Sequence, residues 1–418
     1  MANRLTDLLT RYDRRLWVLF VARLIVAAGF GAAMPFVSLY LYRELGVSMT
    51  VVGTIMLISA VISSVGRIIG GELADRIGRK PLITVTMAVR TILFLVMAYV
   101  IHVRAPLLAI ASAFLAVRFV GAMTQPGISA MVADVVDSKR RVEAFGVLRI
   151  GTNAGWAAGP ALGGFLLTVS YSSLFLLTAA TSLIGFILVV LFTTESIRVR
   201  EQERFKLRSV LATARDRRFL VFCAFSVLLF LVMGQFASTL SVFSTEFVGI
   251  SEVQLGFVYT LNGVIVVLLQ WPAALLGGRI GARRALALGC LFFALGYLSV
   301  AVAPSFGWLA GSMILITLGE VVFSPSAMTS VAEMAPEGKM GRYMGFFGLT
   351  EALGWSAGPF IGGFLLDAYA TRPLILWGVI AAIGVVAGLG FRVKRWWEWA
   401  RSDSLDSGRG DANRTPNR

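Results

Sequence analysis

Apolar runs of about 20 residues recur along almost the whole chain, separated by short polar loops, and each is long enough as a helix to cross a hydrocarbon core of about 30 Å. Runs of this length in a bilayer are helical, because an open strand there would leave its backbone hydrogen bonds unmade. The pattern predicts spans near residues 16–42, 51–74, 81–101, 106–133, 143–169 and 172–194. A second set follows near 219–246, 252–277, 284–303, 307–333, 342–369 and 373–392. The expected fold class is an all-α membrane protein of twelve transmembrane helices, with one six-helix bundle over 1–194 and another over 219–392. Residues 195–218 are polar and strongly basic, and they read as a linker lying on anionic headgroups. Residues 393–418 begin with Lys394, Arg395, Trp396, Trp397 and Trp399, an interfacial anchor, and end in a polar tail expected to be disordered.

Composition agrees with a lipid solvent. Of 418 residues 57% are hydrophobic and 15% charged, and the mean hydropathy is +0.80, well away from soluble domains. A net charge of +15 would suit nucleic acid, but its placement points elsewhere. Lys and Arg crowd every second loop, while the alternate loops hold only Arg43, Arg104 and Arg372. That is the positive-inside pattern, so the basic loops and both chain ends are expected in the cytoplasm. No aromatic residues interleave the basic runs as base stacking requires, so no nucleic-acid partner is expected. The first apolar stretch is too long for a signal peptide and reads as the first span. Cys223 and Cys290 lie far apart and imply no disulfide framework, and His102 has no metal-binding companions. No phosphate-binding loop of the nucleotide-hydrolase type occurs, so neither ATP nor any other cofactor is expected.

An internal repeat organises the chain. Residues 155–167 read GWAAGPALGGFLL, and residues 354–366 read GWSAGPFIGGFLL. Upstream, Pro126 corresponds to Pro325, Asp134 to Glu333 and Gly146 to Gly345. Two homologous halves account for this, and transporters built from repeats place their binding site between the halves near the midplane.

The loop after the second span reads Gly71, Glu72, Leu73, Ala74, Asp75, Arg76, Ile77, Gly78, Arg79, Lys80. It resembles, position for position, the signature loop between helices 2 and 3 of the major facilitator superfamily. Gly71 permits close helix contact, Gly78 a tight turn, and Asp75 can pair with Arg79 or cap a helix. In the second half the corresponding loop has Gly278 at the aspartate position, so a weaker second latch is expected. The resemblance implies that Asp75, Arg76, Arg79 and Asp134, with Gly71 and Gly78, form a conformational latch favouring the outward-facing state. The fifth span carries Gly155, Gly159, Pro160, Gly163 and Gly164, similar to a signature associated in that family with proton antiporters. Glycines in such a helix also allow plain close packing. Among the superfamily the chain looks most like the twelve-helix drug:proton antiporters of prokaryotes, although its first span, unlike that of several such antiporters, carries no acidic residue.

Ionisable residues at membrane depth are functional hypotheses by default. Arg118 in the fourth span and Glu320 in the tenth fall near mid-membrane and, by the repeat, on matching helical faces. They are expected to face each other across a cavity, with Glu320 as the proton-coupling carboxylate, because desolvation favours its neutral form and a nearby cation its charged form. A structural Arg–Glu pair is the alternative. Gln125, Gln235, Asn262 and Gln270 are candidates for further cavity contacts. Arg67 and Glu351 are expected to bridge the two halves on the cytoplasmic side, or to be solvated there. Arg23, Arg90 and Arg149 read as snorkelling or locally paired.

The preferred function is a secondary transporter, not an enzyme, that exchanges protons for small amphipathic compounds as a monomer by alternating access. A facilitator or proton symporter for an anionic metabolite or lipid is the second class, with Arg118 binding the anion. A membrane-embedded enzyme or sensor is disfavoured, since no nucleophile, base and orienting group converge.

Overall fold

The computed structural model describes residues 12–137, 140–196, 212–336 and 339–393. The expected tail anchor and most of the linker therefore lie outside the described residues. Within them the chain forms thirteen α-helices and no strand. The first half contains α1 (Arg14–Arg43), α2 (Met49–Ile77), α3 (Arg79–His102), α4 (Leu107–Val135), α5 (Arg141–Leu167) and α6 (Tyr171–Phe192). The second contains α7 (Arg217–Met233), α8 (Thr239–Glu246), α9 (Glu252–Ile280), α10 (Ala282–Val300), α11 (Phe306–Met334), α12 (Met340–Tyr369) and α13 (Pro373–Arg392). Nine of these are individually long and apolar enough to span a membrane. The remaining three spans are α5 and α12, whose glycine-rich faces dilute their hydropathy, and the pair α7 and α8.

That pair departs from the expected single helix over 219–246. A turn at 234–238 separates α7 from α8, and its backbone is satisfied by side chains, as a break inside a bilayer requires. The Gln235 amide nitrogen donates to the carbonyls of Leu231 (3.1 Å) and Gly358 (2.8 Å), and its oxygen accepts from Thr239 at 2.8 Å. The Tyr259 hydroxyl donates to the Phe236 carbonyl and also bonds Ser241.

In the first half α1 packs on α5 and α6, α2 on α4, and α3 on α4 and α6. In the second, α7 packs on α12 and α13, α10 on α11 and α13, and α9 on α11. The sequence repeat reappears as matched contacts. A methyl group on Gly159 would stand 2.5 Å from the Ala28 carbonyl oxygen of α1, and one on Gly358 would stand 2.6 Å from the Leu231 carbonyl oxygen of α7. Gly155 and Gly163 meet α1 in the same way, and Gly354 meets α7. The next glycine of each motif faces the other half instead. Gly164 lies on the backbone of Glu252 and Val253, and Gly363 on that of Met49 and Thr50.

The halves meet mainly through α2 with α12 and α5 with α9, and the tight contacts gather at the end away from the basic loops. There Arg43 of α1 pairs with Glu246 of α8 (2.6 Å) and with Glu252. Asp367 of α12 accepts from the Met49 and Thr50 amides at 2.9 and 2.7 Å and from the Thr50 hydroxyl at 2.6 Å. Those amides are unpaired donors at the start of α2, where a carboxylate is favoured. At the basic end Gly146, Gly278, Gly341 and Gly348 have no non-local atom within 4 Å of where a side chain would begin. The ion pairs and carboxylate bonds described between the halves thus lie at the end away from the basic loops.

Closure at that end depends on pairs that are only partly exposed, so Arg43→Gln should loosen it. An engineered cysteine at Ala237 should then react with a membrane-impermeant maleimide from the closed side about fivefold faster, the change that ~1 kcal/mol of lost pairing produces. Both native cysteines are buried and contribute little background. An unchanged rate would mean that Asp367 and the glycine contacts hold this end without Arg43.

Candidate functional site

The signature loop builds its turn from one residue that needs unusual backbone. Gly78 has φ +101°, a region that favours glycine, and it ends α2 and starts α3. The Glu195 carboxylate accepts from the Arg79 and Lys80 amides at 3.2 and 3.0 Å, filling the anion position at the start of α3. The Arg79 side chain, 4% exposed, then joins three elements. It donates to the Ala74 carbonyl at 2.7 Å and pairs with Asp75 at 3.1 Å and with Asp134 of α4 at 3.2 Å. Arg76 pairs with Glu72 on the surface. Asp75, Arg79 and Asp134 therefore come together as expected. A side chain begun at Gly71 would meet Pro126 of α4 at 4.0 Å and no atom of α12 within that distance.

Two cavities flank Trp156 of α5. The first, about 220 Å³, lies inside the first bundle and receives one arginine from each of four helices: Arg23 of α1, Arg67 of α2, Arg90 of α3 and Arg118 of α4. Gln125 also lines it and accepts a hydrogen bond from Arg23. The Phe30 ring lies between two guanidinium groups, 5.4 Å from Arg90 and 5.8 Å from Arg118, a weak compensation for buried charge. Arg23 and Arg90 do not snorkel. They point inward, and helical depth alone gave no sign of it.

The second cavity, about 230 Å³, is lined mostly by apolar groups of the second bundle, including Met233, Phe236, Phe293, Ile316 and Trp355. Its polar focus is Glu320 of α11. The Asn262 amide donates to the Glu320 carboxylate and to the Thr317 hydroxyl, both at 3.0 Å. Arg118 and Glu320 thus line adjacent cavities on either side of Trp156, and they form no ion pair among the described residues. The cation within electrostatic reach of Glu320 is Arg149 of α5, which acts on Glu351 as well. Arg149, Asn153 and Trp156 follow at helical spacing, so one face of α5 is turned to the second bundle. That spacing was present in the sequence, and Arg149 was missed there because it lies near a helix end.

Arg67 is also within electrostatic reach of Glu351, yet the two make no ion pair among the described residues. Two expected cavity residues sit elsewhere. Gln235 is fully buried and its polar atoms serve the turn between α7 and α8. Gln270 of α9 lines neither cavity and sits beside the exposed Leu269 and Trp271.

A family model described as Major Facilitator Superfamily matches residues 19–359, and a second match covers 228–402. The chain belongs to the Major Facilitator Superfamily. As a member it is a membrane transporter built on this superfamily's fold. Among its relatives, the uncharacterized MFS-type transporter YttB of Bacillus subtilis (strain 168) is 28% identical over 377 residues, 87% of this chain and 91% of the relative. The multidrug resistance protein MdtH of Salmonella paratyphi B is 27% identical over 382 residues, 89% of this chain and 92% of the relative. A crystal structure of the nucleoside transporter NupG superposes with a TM-score of 0.75 at 17% identity, covering 91% of this chain and 98% of that one. A POT family transporter bound to a thioalcohol conjugated peptide gives 0.74 at 15% identity, covering 90% and 94%. These two likenesses speak for the superfamily fold alone.

Proposed function

We propose that this transporter exports small amphipathic compounds in exchange for protons, by alternating access, with its basic end and both termini in the cytoplasm. The observation that carries this reading is Glu320, a carboxyl group in the middle of α11, held by Asn262 in a largely apolar cavity beside the interface of the halves. A carboxyl group there binds a proton when the cavity is dry and releases it when water or a cation arrives. Rocking the two bundles would expose it to each side in turn. The gathering of cross-bundle pairs at the end away from the basic loops suits an inward-facing state, in which a compound enters from the cytoplasm. The likeness to the multidrug resistance protein MdtH supports multidrug resistance as the relevant branch, and a membrane-embedded carboxyl suits proton exchange.

The test uses proteoliposomes loaded with a pH-sensitive dye and carrying an imposed proton gradient. Amphipathic compounds added at the basic side should release the gradient as they are taken up, and uptake should run uphill. Downhill movement with no proton flux would establish facilitation instead.

A further inference from the structure

We infer that the first-bundle cavity is an anion site, and that the transported compound carries a negatively charged head, carboxylate or phosphate, joined to an apolar body that occupies the second cavity. This rests on the reading above of an exporter of amphipathic compounds, takes the two cavities that meet at Trp156 as its substrate path, and adds the charge of the cargo. Four guanidinium groups converge there from four helices, and no aspartate or glutamate lines the space. The only acidic residues of α1 to α4 are Glu72, Asp75 and Asp134, all near the basic end. Two of those are held by Arg79 and the third by Arg76.

The arginines also act on each other. Arg118 lies within electrostatic reach of Arg67, and Arg90 of Arg118. Like charges held together in a poorly polar interior repel strongly, and an uncompensated buried charge is costly. The buried Nε atoms of both Arg90 and Arg118 lack a hydrogen-bond acceptor. Guanidinium forks present paired donors that match the oxygens of carboxylate and phosphate. An anion in this cavity would supply the missing acceptors and the missing counter-charge at once. Beyond Trp156 the environment changes to Met, Phe, Ile and Trp side chains, which suits an apolar body, so the two cavities together match an amphipathic anion of modest size.

The probes are 2-naphthyl phosphate, 2-naphthoate, naphthyltrimethylammonium and inorganic phosphate, titrated into the full chain in neutral detergent by calorimetry. Both naphthyl anions should bind, and the cation at least about tenfold more weakly. Arg90→Gln and Arg118→Gln should each weaken the anions roughly thirtyfold or more. In the absence of any probe, neither variant should unfold at a lower temperature, because each relieves repulsion. Equal binding of cation and anion, or anion affinity unchanged in both variants, would overturn the anion site while leaving proton-coupled transport intact. Inorganic phosphate binding as tightly as naphthyl phosphate would overturn the second-cavity part. Binding of none of the four, together with absent flux in vesicles, would remove the cavities from the substrate path. Repeating the titration in nanodiscs distinguishes the source of the anion. Competition by phosphatidylglycerol but not phosphatidylcholine would support a lipid head, and equal binding in both would support a soluble compound.

Discussion

Glu320→Gln should yield a transporter that equilibrates its cargo but no longer concentrates it. The amide keeps the size of the side chain and can still bond Asn262, so the fold and the cavity persist. What it loses is the exchangeable proton. Gradient-driven accumulation in proteoliposomes should fall by about tenfold or more, the factor that ~1.4 kcal/mol represents, while downhill exchange continues and loses its dependence on pH. Retention of uphill exchange at normal efficiency would show that another group couples the proton. Glu351 is the next candidate, since it shares Arg149 with Glu320.

Gly159→Leu is expected to have the largest effect on stability. The first added carbon would stand 2.5 Å from the Ala28 carbonyl oxygen and 2.8 Å from the Ala32 nitrogen. Both are backbone atoms, so no rotamer relieves the clash, and α1 must move off α5. Overpacking a tight core costs roughly 1–3 kcal/mol and occasionally more, and a whole isobutyl group against backbone belongs at or beyond the upper end. In detergent the variant should unfold at a clearly lower temperature or fail to accumulate. Gly146→Leu in the same helix is the control, since nothing non-local lies within 4 Å of it. Helix propensity alone favours leucine at both positions, so equal loss in both variants would mean that added bulk anywhere on α5, and not the α1–α5 approach, decides the outcome.

Much of this architecture was legible in one dimension. Hydropathy located the spans, as with the first, expected at 16–42 and observed at Arg14–Arg43, because burial in lipid is a property of length and composition. The repeat foretold the matched glycine contacts, since the same letters 199 residues apart imply the same packing face. The Asp75–Arg79 pair was legible because its spacing is local, whereas Asp134 could be joined to it only through the family resemblance. Direction around a helix was harder to read. Arg23 and Arg90 had the right depth for snorkelling, and only the arrangement of α1 to α4 shows that they converge with Arg67 and Arg118. Gln235 illustrates the opposite error. A polar residue in mid-span looks like a substrate contact, but when the helix breaks beside it the backbone takes its hydrogen bonds first. The Gly234–Gln235 and Ser238–Thr239 pairs were the available sign of that break.

The break between α7 and α8 carries a consequence for how the far gate works. Glu246 ends an eight-residue helix whose other residues are buried, and the turn before it is held to α12 and α9 through Gln235 and Tyr259. Releasing Arg43 means parting it both from Glu246 on α8 and from Glu252 at the start of α9, the residue on which Gly164 packs. Unlatching α8 and loosening the Gly164 seam are thus tied together through one guanidinium group, carried on a first span that is continuous from end to end.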